Sequence, residues 1–470
     1  MARGHIRNFD PEDGAAWEAG NATIARRNLV WSTASTHVAF SIWSLWSVVV
    51  LFMPMSVYGI TPGDKLLLAA VATLVGACAR VPYAHATAKF GGRNWAVFSS
   101  LILLIPTAGT LLLVANPGQP LWRYLVCAAL TGLGGGNYAA SLANVDAFYP
   151  QRLKGVALGL CGGIGNLGVA SIQLVGLLVL ATVGNTRPEL VCSFYLVLLA
   201  LVAVGAALRM DNLDHGMEEV GNIRSIISIP DSWTISALYC AAFGSFIGFA
   251  FAFAQVLHVT LEKAGHSSAE ASLYAARIAF LGPLIGALSR IYGGRAADRH
   301  GGGRVTFIVF LGMIMGAALL AITSTVDDRN DGAAPSTTIT LYIIGFMALF
   351  FLAGIGNGSV LKMIPSILEA RSRFLDAPEA ERRHWARSHS GALIGFSTAV
   401  GALGGVAINL TLRQSYASSG TETPAFWVFV AAYGAAAGLT WVIYLRRSSG
   451  MPERPSMLAS PHAEHASLRS

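Results

Sequence analysis

Four cationic side chains lie inside long apolar runs of this chain, and nothing acidic lies there with them. Of the 32 Lys and Arg, all but Arg80, Arg277, Arg290 and Lys362 fall in polar loops or at the termini. None of the 25 Asp and Glu falls near the centre of an apolar run; Asp146, Asp231, Glu262, Glu270 and Asp298 all sit near a run's end or in a loop. A charge at the centre of a bilayer costs at least about 2.5–3.5 kcal/mol on insertion scales. A guanidinium placed there without a carboxylate therefore calls for an anion from outside. Arg80 (in GACARVPY) and Arg290 (in GALSRIYGG) occupy matching places in the two halves of the chain. Their planar, bidentate forks suit a small planar oxyanion better than an ammonium would. Each arginine alone could instead bond backbone carbonyls at a helix kink, but a matched pair weighs against that. Arg277 begins an apolar run and is expected to snorkel to the outer surface. Lys362 (in GSVLKMIP) either lines the same path or snorkels inwards.

Aromatic and polar residues suited to such a site occur near these helices. Tyr138, Tyr239, Phe243, Phe246 and Phe249 lie on the surrounding helices. Rings at helical spacing usually belong to a core or face lipid, so each alone says little. Rings holding a planar anion by its faces while arginines take its edges would exclude bulky tetrahedral anions by shape. Residues Gly132 to Gly168, GLGGGNYAASLANVDAFYPQRLKGVALGLCGGIGNLG, form two glycine-rich apolar runs hinged on a polar YPQRLK turn. In water each glycine would weaken a helix by about 1 kcal/mol relative to alanine. In lipid the backbone has no water to bond, so the helix survives and glycine permits close packing. Asn137 and Asn166 are polar groups in these runs, and burying them is costly unless they are hydrogen-bonded.

The elements that must carry these residues are membrane spans. The chain has 470 residues, 54% of them hydrophobic and 12% charged, with mean hydropathy +0.56. The expected class is an all-α membrane protein. Twelve spans are expected near 35–55, 66–88, 96–115, 122–148, 155–183, 188–209, 232–260, 270–294, 304–325, 338–365, 388–412 and 425–446, each long enough for about 30 Å of hydrocarbon. Loops on the side of the termini hold most Lys and Arg; opposite loops hold one each, from Lys65 to Arg413. Both termini are therefore expected in the cytoplasm. The net charge of +7 follows from this asymmetry and does not indicate nucleic acid. The polar loop DNLDHGMEEVGNIRSIISIPD divides the spans into six and six. The expected organisation is a cytoplasmic lead-in (1–33), a first bundle (34–210), a linker (211–231), a second bundle (232–447) and a disordered tail (448–470). A short surface helix is expected in EDGAAWEAGNATIARRN. No apolar signal-peptide core precedes Trp31. The five cysteines lie in apolar runs without metal-ligand spacing and read as inert packing residues.

The halves echo each other. Arg80 lies eleven residues before Gly91 and Arg290 eleven before Gly301; GLGGGN recurs as GIGNGS. GGRAADRHGGGR (Gly293 to Arg304) resembles the Gly-x-x-x-Asp-Arg-x-Gly-x-x-Arg loop of the major facilitator superfamily, whose Asp and Arg latch helix ends on the cytoplasmic side. That resemblance assigns gating to Asp298, Arg299 and Arg304. More narrowly, the chain resembles the NarK-type nitrate/nitrite porters, from DPEDGAAW and IARRNLVW to the last span. The most specific segments are ARVPYAHATAKFGGRNW, GGGNYAASLANVDAFYP, GGIGNLGVASIQLV, FGSFIGFAFAFA, FLGPLIGALSR and GIGNGSVLKMIP. The resemblance implies the major facilitator fold and transport of nitrate and nitrite. It implies substrate contacts at Arg80, Arg290, Tyr138, Tyr239 and Phe243, with Asn166 nearby. It also implies signature glycines at Gly162, Gly163, Gly165 and Gly168 and, more loosely, at Gly395, Gly401, Gly404 and Gly405.

No metal cluster, nucleophile–base set or nucleotide loop stands out, so an enzyme is not expected, nor a bound cofactor. The expected partners are nitrate, nitrite and the lipid bilayer, with protons as a candidate coupling ion. A carrier of chlorate, formate or phosphate is the alternative within transport, and a non-transporting nitrate sensor the alternative outside it. Exchange is favoured by the carboxylate-free cavity, because two unpaired arginines repel each other in the empty carrier. Symport would need a proton site, for which His37 and His258 are candidates. HVAFSIWSLWSVVVLFMP in span 1 looks closer to symporting relatives. Both modes remain open at this stage.

Overall fold

The computed structural model describes residues 5–7, 9–213, 223–329 and 334–446. The tail from 448 and the middle of the expected linker (214–222) lie outside the described residues. Among the described residues eleven helices are long and apolar enough to cross a membrane: Gly14–Phe52, Pro62–Phe90, Gly92–Ala115, Arg152–Thr186, Glu189–Arg209, Pro230–Lys263, Ser268–His300, Gly302–Asp327, Ser336–Ser372, Glu381–Ser419 and Thr423–Leu445. These are spans 1–3 and 5–12. Span 4 covers 121–148, with helices Leu121–Gly132 and Asn137–Phe148 joined by one tighter 3-10 turn over Leu133–Gly136 that keeps right-handed helical angles. The tightened turn falls on the GLGGG run. Added Cβ atoms at Gly134, Gly135 and Gly136 would come within 2.3, 2.8 and 2.8 Å of span 1 or span 2. Glycine here allows span 4 to press against both neighbours.

The expected surface helix before span 1 is a short turn, Gly14–Ala16, capped by the Asp13 side chain and set off from the span by a kink at Gly20, whose φ is 153°. The lead-in is also tied to the linker. Strand β1 (His5–Ile6) pairs in parallel with β2 (Asn212–Leu213). Asp211 accepts Arg27 Nη2 at 2.5 Å and Asn28 Nδ2 at 3.2 Å. Asn212 Oδ1 accepts the Arg93 backbone N–H at 2.9 Å, joining the span 2–3 loop to the same knot.

The two bundles meet along seams related by the internal repeat. Span 2 packs against span 11, and span 5 against span 8. Spans 1 and 7 are the most enclosed, 94% and 89% buried over their most apolar windows, so they are central. Span 12 is mostly peripheral. Gly91 and Gly301, closing spans 2 and 8, both take φ of 85°, a left-handed value that favours glycine. Eleven residues of helix are about 16 Å at 1.5 Å per residue. The two equal turns therefore set Arg80 and Arg290 about halfway across a ~30 Å hydrocarbon layer.

On the face opposite the termini the bundles are sealed together. Ser272 Oγ donates to Leu51 O at 2.6 Å and Gln173 Nε2 to Ala250 O at 2.7 Å, each across the seam. Every residue of span 7 from Ala242 to His258 is buried there. Towards the terminal face the packing loosens. A Cβ at Gly155, Gly159, Gly163, Gly391 or Gly395 would meet nothing within 4 Å.

Candidate substrate site

Arg80 is fully buried on span 2. Its Nη1 donates to the Thr398 carbonyl of span 11 at 2.6 Å, a bond from the first bundle to the second. Its guanidinium carbon lies 5.0 Å from the Phe243 ring centroid, 5.3 Å from Tyr138 and 5.5 Å from Trp43. Aromatic faces at this distance attract a cation and offset part of the hydration that burial removes. The Arg80 Nε and Nη2 groups are buried and make no hydrogen bond among the described residues.

Arg290, half-buried on span 8, makes the reciprocal contact. Its Nη2 donates to the Tyr138 hydroxyl of span 4 at 3.0 Å, from the second bundle to the first. Its Nη1 is buried without a partner among the described residues. Among the described residues no carboxylate forms an ion pair with either arginine. Unsatisfied buried donors on charged groups are expensive. Two such groups meeting between the bundles form a site whose chemistry suits an anion.

The remaining expected contacts divide. Tyr239 stacks on Phe243 at 5.2 Å with the rings 10° apart. It is fully buried with its hydroxyl unpartnered, and it lies within electrostatic reach of both arginines. Tyr138 stacks on Phe40 at 5.4 Å. Phe246 extends the Phe243 stack at 6.2 Å, whereas Phe249 packs edge-on with Phe346, Phe350 and Phe429. Phe249 is thus part of the second bundle's core. Asn166 is buried with neither amide atom hydrogen-bonded, and among the described residues no bond joins it to either arginine. Trp43 and Phe40 escaped the sequence reading. Both lie on span 1, and nothing local marks them as facing either arginine. Trp43 is held by its indole N–H donating to Ala72 O at 3.0 Å.

The glycines fall into three groups. Gly165, Gly168, Gly404 and Gly405 are packing contacts: a Cβ there would lie 2.5 Å from Thr36, 2.1 Å from His37 O, 2.2 Å from Cys240 O and 3.1 Å from Ile247. Gly162 and Gly401 touch the site itself, with a Cβ falling 2.9 Å from the Tyr138 hydroxyl and 2.4 Å from the Tyr239 ring. Gly163 and Gly395 face open space.

Of the four intramembrane cations, two leave the interior. Arg277 is exposed. Lys362 is exposed and pairs with Asp298 at 3.1 Å, joining span 10 to span 8 at the terminal face, so it is not at the arginine site. Asp298 thus has Lys362 as its partner; Arg299 and Arg304 are exposed. Among the described residues neither candidate proton carrier hydrogen-bonds either arginine. His37 Nδ1 sits 2.9 Å from Ile164 O, and His258 lies 3.6 Å from Glu262 and 3.4 Å from Ser268 Oγ. Among the described residues three buried acids were missed: Asp211, Asp327 and Glu422; Glu422, in the loop before span 12, is 5% exposed and accepts the Tyr342 hydroxyl at 2.6 Å. Burial raises its carboxyl above the usual range. Loop position in sequence gives no hint of that burial.

The Major Facilitator Superfamily sequence profile matches residues 34–408. The chain is 34% identical over 461 residues to the nitrate/nitrite transporter NarU of Escherichia coli K12, covering 94% of this chain and 96% of that one. It is 27% identical to the probable nitrate/nitrite antiporter NarK2 of Thermus thermophilus, covering 95% and 98%. In fold it resembles the crystal structure of a D-xylose-proton symporter, with a TM-score of 0.65 at 13% identity over 91% of this chain and 98% of that one. With its two six-span bundles meeting at a pair of reciprocal arginines, the chain belongs to the major facilitator superfamily, in its NarK-type nitrate/nitrite porter family.

Proposed function

We propose that this protein carries nitrate and nitrite across the cell membrane by alternating access, with both termini in the cytoplasm. The observation that carries the reading is the pair Arg80 and Arg290. They come from opposite bundles, lie at matched depth, keep unpaired donors and have no carboxylate partner among the described residues. A planar oxyanion would take the free edges of both forks, while Tyr138, Tyr239 and Phe243 bound its faces. Phosphate fits less well, since it asks for more donors than these side chains offer. Asn166 stands as a further polar contact for the bound anion.

The sealed far face and the open glycines near the termini support a conformation facing the cytoplasm. In that conformation the Asp298–Lys362 pair holds two helix ends of the second bundle together. Asp298 and Arg299 would then change partners when the cytoplasmic side closes. Arg304 and the packing glycines of spans 5 and 11 serve the same rocking motion.

The test is nitrate entry into proteoliposomes that are empty or preloaded with nitrite, with and without an inward proton gradient. Entry only against internal nitrite establishes exchange. Proton-driven entry into empty vesicles establishes symport and directs attention to His37 and His258. No nitrate movement under any condition overturns the substrate assignment.

A further inference from the structure

One side chain contacts both arginines. The Tyr138 ring centroid is 5.3 Å from the Arg80 guanidinium carbon, and its hydroxyl accepts Arg290 Nη2 at 3.0 Å. The hydroxyl belongs to the first bundle and Arg290 to the second, so the bond crosses the seam at the site. Its place is kept by Gly162, where a Cβ would lie 2.9 Å from the hydroxyl oxygen. Any larger residue at position 162 would push the phenol out of line with Arg290.

Building on the anion-carrier reading, we propose that the Tyr138 hydroxyl is a placeholder for the transported anion on Arg290, and that it sets how readily the carrier reorients empty. With no anion bound, two guanidiniums facing one another across the seam repel, and each keeps unmet donors. The hydroxyl oxygen meets one of those donors from the opposite bundle. It thereby links the bundles where the anion would otherwise link them. When the anion arrives it competes with the phenol for the Arg290 fork, and the oxyanion, carrying full charge, displaces it. Arg80 needs no such placeholder, because the Thr398 carbonyl already takes its Nη1. The coupling mode is then governed in part by a neutral group, with no need of a carboxylate. A phenol that holds Arg290 well permits return of the empty carrier and net uptake. Loss of the hydroxyl forces the carrier to return with an anion.

The experiment compares the protein with Tyr138→Phe in the same proteoliposomes, measuring nitrate entry into nitrite-loaded and into empty, proton-energised vesicles. Equilibrium nitrate binding and thermal unfolding of the purified proteins are measured alongside. The expected result is that net entry falls about tenfold more than exchange does, the weight of one charge-assisted hydrogen bond. Nitrate affinity stays the same or tightens, since a competitor for Arg290 has gone. Gly162→Ala, which crowds the hydroxyl without removing it, should shift the ratio the same way by less. An unchanged ratio of net entry to exchange in Tyr138→Phe, or weakened nitrate binding in a stably folded variant, overturns the proposal. The unsubstituted protein failing to move nitrate in either vesicle would overturn the parent reading as well. Active transport with an unchanged ratio overturns this inference alone.

Discussion

Arg80 and Arg290 are related by the internal repeat, yet the structure treats them differently. Arg80 has no exposure, a backbone carbonyl as its partner and rings of both bundles around it. Arg290 is only partly buried, and its partner is a side-chain hydroxyl, not a backbone carbonyl. A repeat brings two like charges to the same depth; the packing around each decides which is fixed and which is free to exchange partners. Arg80 is thus the standing element of the site and Arg290 the responsive one.

The largest effect should come from challenging that asymmetry directly. Arg80→Lys is expected to weaken nitrate binding by about 100-fold, since a point charge replaces a buried fork and strands the Thr398 carbonyl. Arg290→Lys should cost about tenfold, because its surroundings can adjust. Equal losses, read by equilibrium binding, would break the distinction. Transport should fail in both variants while membrane insertion persists.

Packing should be more symmetric than chemistry. Gly168→Ala and Gly404→Ala both drive a Cβ into a backbone carbonyl of the central span of their bundle. Each should destabilise by roughly 1–3 kcal/mol, seen as a matching fall in thermal unfolding temperature. A large effect from one and none from the other would show that the bundles do not share their packing. Asp298→Asn removes an ion pair between two half-exposed groups, worth less than about 1 kcal/mol of stability. Nitrate affinity should be unaltered and the transport rate lower, whereas unaltered rate would remove the gating role. The smallest change is expected for Gly395→Ala, where the Cβ meets open space and stability should move by no more than about 0.5 kcal/mol.

Much of this was legible beforehand because lipid makes sequence unusually explicit. Apolar length marked the spans, and the equal spacing of Arg80 from Gly91 and of Arg290 from Gly301 marked the midplane. Lys362 shows the limit. Its place in an apolar run admitted two positions, and only the approach of Asp298 from another span chose between them. Span 4 shows another. Its glycines read as a continuous close-packed helix, and it is one, but only the structure shows it tightening into a 3-10 turn where spans 1 and 2 press on it.

By itself the sequence determined the class of the protein, its division into two related bundles, the depth of both arginines and the sign of the charge they seek. These follow from periodicity and from the cost of burying charge, which are properties of each segment taken alone. The tertiary structure decided what each polar group bonds to. It gave Arg80 the Thr398 carbonyl and Arg290 the Tyr138 hydroxyl, set Trp43 and Phe40 beside the site, and sorted the signature glycines into packing, site and open positions. Those partners lie more than 150 residues apart for each arginine's hydrogen bond. A hydrogen bond depends on tenths of an ångström and on direction, and residue spacing along a helix fixes neither across a seam between bundles.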